Sequence, residues 1–194
     1  MKKEFIKQEA LLLFVKESYE GCSMSEIAKK VGLRTPSLYS HFESKEQLFL
    51  TILQEVIDEK LANLEKIKNE TSNQSITKLL HTILLDKLND IETNKVKTVF
   101  YRRYSLFPPS QLKEKIQSRM MAYEKAIYNL LTPAIEKGIK QRELKEENPD
   151  KILEAFYCVM DGLYILSHYR EVDTYRNTVE NVWSLYWESV RTDT

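Results

Sequence analysis

Between residues 34 and 45 the chain reads RTPSLYSHFESK, a run in which nearly every polar side chain can make a directed hydrogen bond. Arg34 offers a forked guanidinium, and Thr35, Ser37 and Ser40 offer short hydroxyls. Such groups near the start of a helix suit base edges in a major groove, where arginine pairs bidentately with guanine. Tyr39, His41 and Lys45 flank them with longer polar tips that suit phosphate oxygens. Pro36, Ser23 and Ser25 complete the candidate contact set. The helix starts behind Ser23 and Ser44 would add anion sites. A phosphate contact at Lys45 predicts that removing it flattens the salt dependence of DNA binding by roughly 0.9 log units.

These groups are presented by two short helices meeting at a glycine. Ser23 with Glu26 three residues on reads as a capping box, opening a helix that reaches about Lys30. Gly32 then reverses the chain where a Cβ would clash, and Thr35 followed by Pro36 reads as an N-cap with proline at the first helical position. Ile27, Ala28, Val31, Leu33 and Leu38 supply the apolar contacts that set the crossing of a helix-turn-helix. Upstream, Phe5, Ile6, Ala10, Leu13 and Phe14 recur at helical spacing until Gly21, read as a left-handed cap. Downstream, Ser44 and Gln47 start a fourth helix running to about Lys68.

The stretch from Phe14 to Leu53 resembles the N-terminal region of TetR/AcrR-family transcriptional regulators. Gly21, Ile27, Ala28, Gly32, Leu38, Tyr39, His41, Phe42, Lys45 and Leu48 stand at that family's characteristic positions, with LYSHFESKEQL the densest match. The resemblance implies a homodimer, a palindromic double-stranded DNA operator, and repression relieved by a small effector. It also implies Tyr39, His41 and Lys45 as phosphate contacts, with Leu38 and Phe42 in the core. Three positions depart from the pattern: Arg34 replaces the usual serine or threonine, Thr35 the common lysine, and Pro36 the usual glycine or alanine.

Elsewhere the chain of 194 residues holds only four glycines and five prolines, so helix should dominate. About nine helices are expected, all-α, with residues 1–48 as a DNA-binding domain and 49–194 as an effector-binding and dimerisation bundle. The fourth helix is expected to belong to both parts. After a polar connector at 69–75, helices are predicted over 76–91, 94–106, 110–141 (with a kink expected at Pro133), 150–170 and 175–190. The last two carry apolar stripes. Ile152, Val159, Leu163 and Leu166 on one, with Val179, Trp183, Tyr186 and Trp187 on the other, are the candidate dimer interface; intrachain core is the competing reading. Tyr101, Tyr104, Phe107, Met121, Tyr128, Phe156, Tyr157, Met160, Tyr164 and His168 are the candidate walls of an effector pocket for a lipophilic or aromatic molecule. Asp161 would favour a cationic ligand, and Arg102 and Arg103 an anionic one.

Net charge is zero, so any nucleic-acid surface must be local. Within residues 1–48 eight cations face seven carboxylates, an excess of one. The three histidines are scattered and no glycine-rich phosphate loop occurs, so no metal, cofactor or catalytic role is expected. Cys22 and Cys158 read as reduced thiols of a cytoplasmic protein with no membrane span. The rival function is an all-helical ligand-binding or adaptor protein whose helix-turn-helix no longer meets DNA.

Overall fold

Helices form wherever apolar periodicity runs between a cap and a break. A computed structural model describes residues 2–192, apart from the side chain of Glu92. Among the described residues there are nine α-helices and no strand: α1 (Lys2–Glu17), α2 (Met24–Lys30), α3 (Thr35–Tyr39), α4 (Lys45–Glu70), α5 (Ile76–Thr93), α6 (Lys95–Leu106), α7 (Lys113–Lys140), α8 (Pro149–Leu166) and α9 (Val172–Val190). A 3-10 turn, Ser110–Leu112, precedes α7. Helix α7 continues through Pro133. Asn148 caps α8 by accepting from the Asp150 amide at 2.9 Å, with Pro149 at the first position. Helix α9 begins three residues earlier than the aromatic stripe implied, because Glu171 is extended and its carbonyl accepts from Tyr175.

The chain divides into two compact units. The first comprises residues up to Leu61 together with Asn94–Tyr123, and the second Ala62–Thr93 with Glu124 onward. Of the three boundaries, two fall inside helices α4 and α7, and the third between α5 and α6.

In the first unit, Phe49 is the hub of an aromatic core. Its ring lies 5.2 Å from Phe14, 5.0 Å from Tyr19, 5.3 Å from Phe100 and 4.7 Å from Tyr104. Each such pair adds roughly 0.5–1.5 kcal/mol beyond area burial. Helix α6 thereby packs against α1, and two side chains fasten it. Arg103 donates to the Val15 carbonyl at 2.8 Å and Tyr104 to the Phe14 carbonyl at 2.8 Å. Both carbonyls lie in the last turn of α1, where no intrahelical donor remains.

The second unit is organised around α8. Phe156 is fully buried against Tyr186, ring to ring at 5.6 Å, and the Tyr186 hydroxyl donates to the Ile152 carbonyl at 3.1 Å. Helix α5 brings His81 to 4.9 Å from Trp183, which stacks on Trp187. An isolated bridge between Leu144 and Arg191 ties the α7–α8 connector to the end of α9.

Candidate nucleic-acid interface

The capping box forms as the sequence predicts. The Glu26 amide donates to Ser23 Oγ at 3.2 Å, and Glu26 Oε2 accepts from the Ser23 amide and hydroxyl, each at 2.7 Å. Those bonds, the hydroxyl's first, hold the Glu26 carboxyl below the usual carboxylate range. A carboxylate of the chain therefore stands at the start of α2, where an anion site is expected.

Two glycines work differently from expectation. The first helix ends with Ser18, not Gly21, in the left-handed region, at φ 68°. Gly21 is required for space instead: a Cβ there would stand 2.1 Å from the Glu17 carbonyl oxygen. Gly32 is the converse case, since a Cβ would meet nothing within 4 Å, but its φ is +69°. The dihedral, not a clash, calls for glycine. Around it the Gly32 amide donates to the Lys29 carbonyl at 3.2 Å and the Leu33 amide to the Ala28 carbonyl at 2.8 Å. This pair is a Schellman closure, satisfying the last carbonyls of α2.

The recognition segment α3 starts one residue earlier than predicted. Arg34, extended at ψ 143°, is its N-cap, and makes no side-chain capping bond. Thr35 and Pro36 occupy the first two helical positions, so the cap expected at Thr35 moves to Arg34. Proline's preset φ starts the helix without a side-chain cap. Leu38 is fully buried and Phe42 nearly so, anchoring α3, while Arg34, Pro36, Ser37, Tyr39 and Ser40 are exposed. The Ser40 hydroxyl donates to the Ser37 carbonyl at 2.7 Å, leaving its oxygen to accept. Thr35 and His41 are half-buried; Ser23 and Ser25 are exposed.

Lys45 is drawn inward. Its ammonium donates to the Tyr19 and Cys22 carbonyls, each at 2.8 Å, and stands 4.3 Å from the centre of the Tyr19 ring. Two of its three N–H groups are thus committed to the α1–α2 connector. At the start of α4, Ser44 accepts from the Gln47 amide at 3.0 Å, and Gln47 reaches back to the Glu43 amide at 2.7 Å. Burial pushes the Cys22 thiol up to about 11, so it stays protonated near neutrality.

The other candidate sets are distributed as follows. Tyr101, Tyr104, Phe107 and Met121 belong to the first unit, and Tyr128, Phe156, Tyr157, Met160, Tyr164 and His168 to the second. Tyr104 is buried in the aromatic core, where desolvation pushes its hydroxyl up to about 12. Phe107 and Met121 are 77% and 69% exposed, and so stand apart from that core. In the second unit Phe156 and Met160 are buried, Tyr128, Tyr157 and Tyr164 half-buried, and His168 is exposed. Of the candidate dimer residues, Ile152, Leu163, Val179 and Tyr186 are covered by the chain itself. Val159, Leu166, Trp183 and Trp187 are half-buried. Spacing along α8, α9 and their connector missed the exposed apolar side chains: Ile165, Tyr169, Val172 and Leu185. The fastening of α6 to α1 by Arg103 and Tyr104 carried no sequence signal, because its partners are backbone atoms some 90 residues away.

Among the described residues no group of histidine, cysteine or carboxylate side chains could hold a metal ion, and no helix is long and apolar enough to cross a membrane. The family described as "Bacterial regulatory proteins, tetR family" matches residues 6–52. The chain is 30% identical over 142 residues to the probable HTH-type transcriptional regulator YttP of Bacillus subtilis (strain 168), covering 73% of this chain and 66% of that protein. It is 32% identical over 95 residues to the biofilm operon icaADBC HTH-type negative transcriptional regulator IcaR of Staphylococcus aureus (strain Newman), 49% of this chain and 50% of that one. The chain thus spans just under two thirds and about half the length of these two relatives. The structure of AibR in complex with isovaleryl coenzyme A and operator DNA superposes with a TM-score of 0.70 at 17% identity, over 95% of this chain and 97% of that one. At that identity the likeness speaks for the fold. With a glycine-closed helix pair, a family match over it, and regulators of transcription among its relatives, the chain belongs to the TetR/AcrR family of transcriptional regulators.

Proposed function

We propose that the protein is a ligand-responsive transcriptional repressor that binds a palindromic operator as a homodimer and is released by a small lipophilic or aromatic effector. The DNA-binding part extends from the N-terminus to about residue 48, and the remainder senses and dimerises. One observation carries this reading: α3 is anchored through buried Leu38 while Arg34, Ser37, Tyr39 and Ser40 remain exposed beside it. A helix anchored by a buried apolar residue with an exposed polar side suits a major groove. Arg34 reads a base edge, Ser37 and Ser40 sit against the groove, and Tyr39 and His41 meet phosphates.

Dimerisation uses the outward side of α8 and α9, where Ile165, Leu185 and neighbouring apolar groups are exposed. Trp183 and Trp187, half-buried on α9, add to that surface. Two recognition helices about 34 Å apart then enter successive major grooves. Effector binding in the helical bundle shifts the population toward a dimer that no longer matches this spacing. Names of relatives support the direction of control: IcaR is described as a negative regulator, and AibR as bound to both an acyl coenzyme A and operator DNA. A cytoplasmic location follows from this role.

A gel shift against the DNA upstream of the protein's own gene tests the reading. Specific retention by the wild type is expected. Leu185→Glu should give a monomer in light scattering that no longer retains the duplex. A wild-type protein that ignores every such duplex at low salt would overturn the proposal.

A further inference from the structure

The second unit carries a cleft of about 200 Å³ that the DNA-binding role does not use. It lies where the end of α4, the connector of residues 71–75, the start of α5 and the C-terminal half of α7 come together. Its inner wall is apolar: Ile76 and Leu79 from α5, Pro133 and Ala134 from α7. Close packing fixes that wall. A Cβ at Gly138 would stand 3.0 Å from Ile76 Cγ2 and 3.1 Å from Leu144 Cδ1.

The mouth is cationic. Lys68 and Lys137 both line it, and among the described residues Lys68 makes no ion pair. The Lys137 ammonium reaches the Ser72 carbonyl at 3.4 Å, beyond the usual range for an N–H···O bond. The cleft's carboxylate, Glu143, is paired within the wall: its Oε2 accepts from the Ile76 amide at 3.1 Å, offsetting the positive start of α5. An anion entering the cleft would be repelled from that helix end and drawn to the two lysines.

We propose that this cleft binds a small organic acid, with its carboxylate between Lys68 and Lys137 and its short apolar chain against Leu79, Pro133 and Ala134. The size fits. Sites for drug-sized molecules run to roughly 300–1,000 Å³. The room here equals roughly seven water molecules at ~30 Å³ each, enough for on the order of eight heavy atoms. An apolar floor with a few polar groups at one end orients such a ligand and selects it over a neutral one.

The site stands on the second unit alone and is tested without DNA, so its failure leaves the repressor reading untouched. The full chain, labelled at isoleucine, leucine and alanine methyls, is titrated with hexanoate and, separately, with hexanol. Hexanoate should shift the Ile76, Leu79 and Ala134 methyls saturably, and hexanol should bind weaker by roughly tenfold. Lys137→Gln, a change at an exposed side chain, should weaken hexanoate several-fold and leave hexanol unchanged. Ala134→Phe should fill the cleft and abolish the shifts while methyl dispersion elsewhere stays native; if this variant fails to fold, Lys137→Gln decides alone. Absence of saturable shifts at these methyls, or equal binding of hexanoate and hexanol, would overturn the proposal.

Discussion

Replacing Lys45 with methionine keeps most of the aliphatic stem and removes only the ammonium. The ammonium makes two bonds of 2.8 Å to the Tyr19 and Cys22 carbonyls and lies over the Tyr19 ring. A hydrogen bond involving a charged group contributes about 1.5–3 kcal/mol net. A cation over an aromatic face at a part-exposed site contributes about 0.5–1 kcal/mol. Lys45 is half-buried, and water re-solvates part of what it leaves, so the low ends are a ceiling and the expected loss is about 2–3.5 kcal/mol. For a chain of this length that lowers the melting temperature by roughly 4–14 °C. Operator binding at a temperature where the variant is folded should weaken, because the α1–α2 connector is no longer pinned to α4. The slope of log K against log salt should stay the same, since no phosphate contact is lost. The assay is thermal denaturation paired with operator titration at three or more salt concentrations. Wild-type stability together with a slope reduced by roughly 0.9 would refute the clamp and make Lys45 a phosphate contact after all.

Arg34→Ala should leave stability within about 0.5 kcal/mol, since the side chain is exposed and caps nothing, yet cost operator affinity about 1–3 kcal/mol at a single base position. Competition against operators substituted one base pair at a time reads that loss. Gly32→Ala should destabilise by about 1–2 kcal/mol through its left-handed φ alone. Gly21→Ala should cost more, because its Cβ meets a backbone oxygen that cannot swing away; urea unfolding of the two variants gives the order. Glu26, with its folded-state carboxyl held low, lends stability that is present above its unfolded value of about 4.3 and lost as pH falls through the depressed value. Glu26→Gln should therefore show a shallower loss of stability on acidification below about pH 5, and parallel curves would refute the linkage.

Legibility in the sequence divides by range. Ser23–Glu26, Asn148–Pro149 and the glycine at 32 are local devices whose chemistry is complete within a few residues, and each sits in the element the spacing predicts. Errors there are of one residue or of mechanism: the α3 cap at Arg34 rather than Thr35, and the left-handed turn at Ser18 rather than Gly21. Thr35 is itself helical and Pro36 sits at the second helical position, so the cap falls two residues before the proline, on Arg34, although its side chain makes no capping bond. Lys45 shows what local spacing leaves out. A lysine beside a recognition helix has the charge for a phosphate, but carbonyl oxygens 23 and 26 residues earlier in the chain compete for its protons.

By itself the sequence determined the helical class, the helix-turn-helix and the exposed polar edge of α3, because caps, breaks and periodicity act through neighbours in the chain. Tertiary structure alone decided that α6 is fastened to α1, that Lys45 turns inward, and which apolar side chains of α8 and α9 face outward. A helical stripe specifies which residues share a side. Only the packed neighbours determine which side is covered, since burial and backbone acceptors at long range are properties of the assembled core.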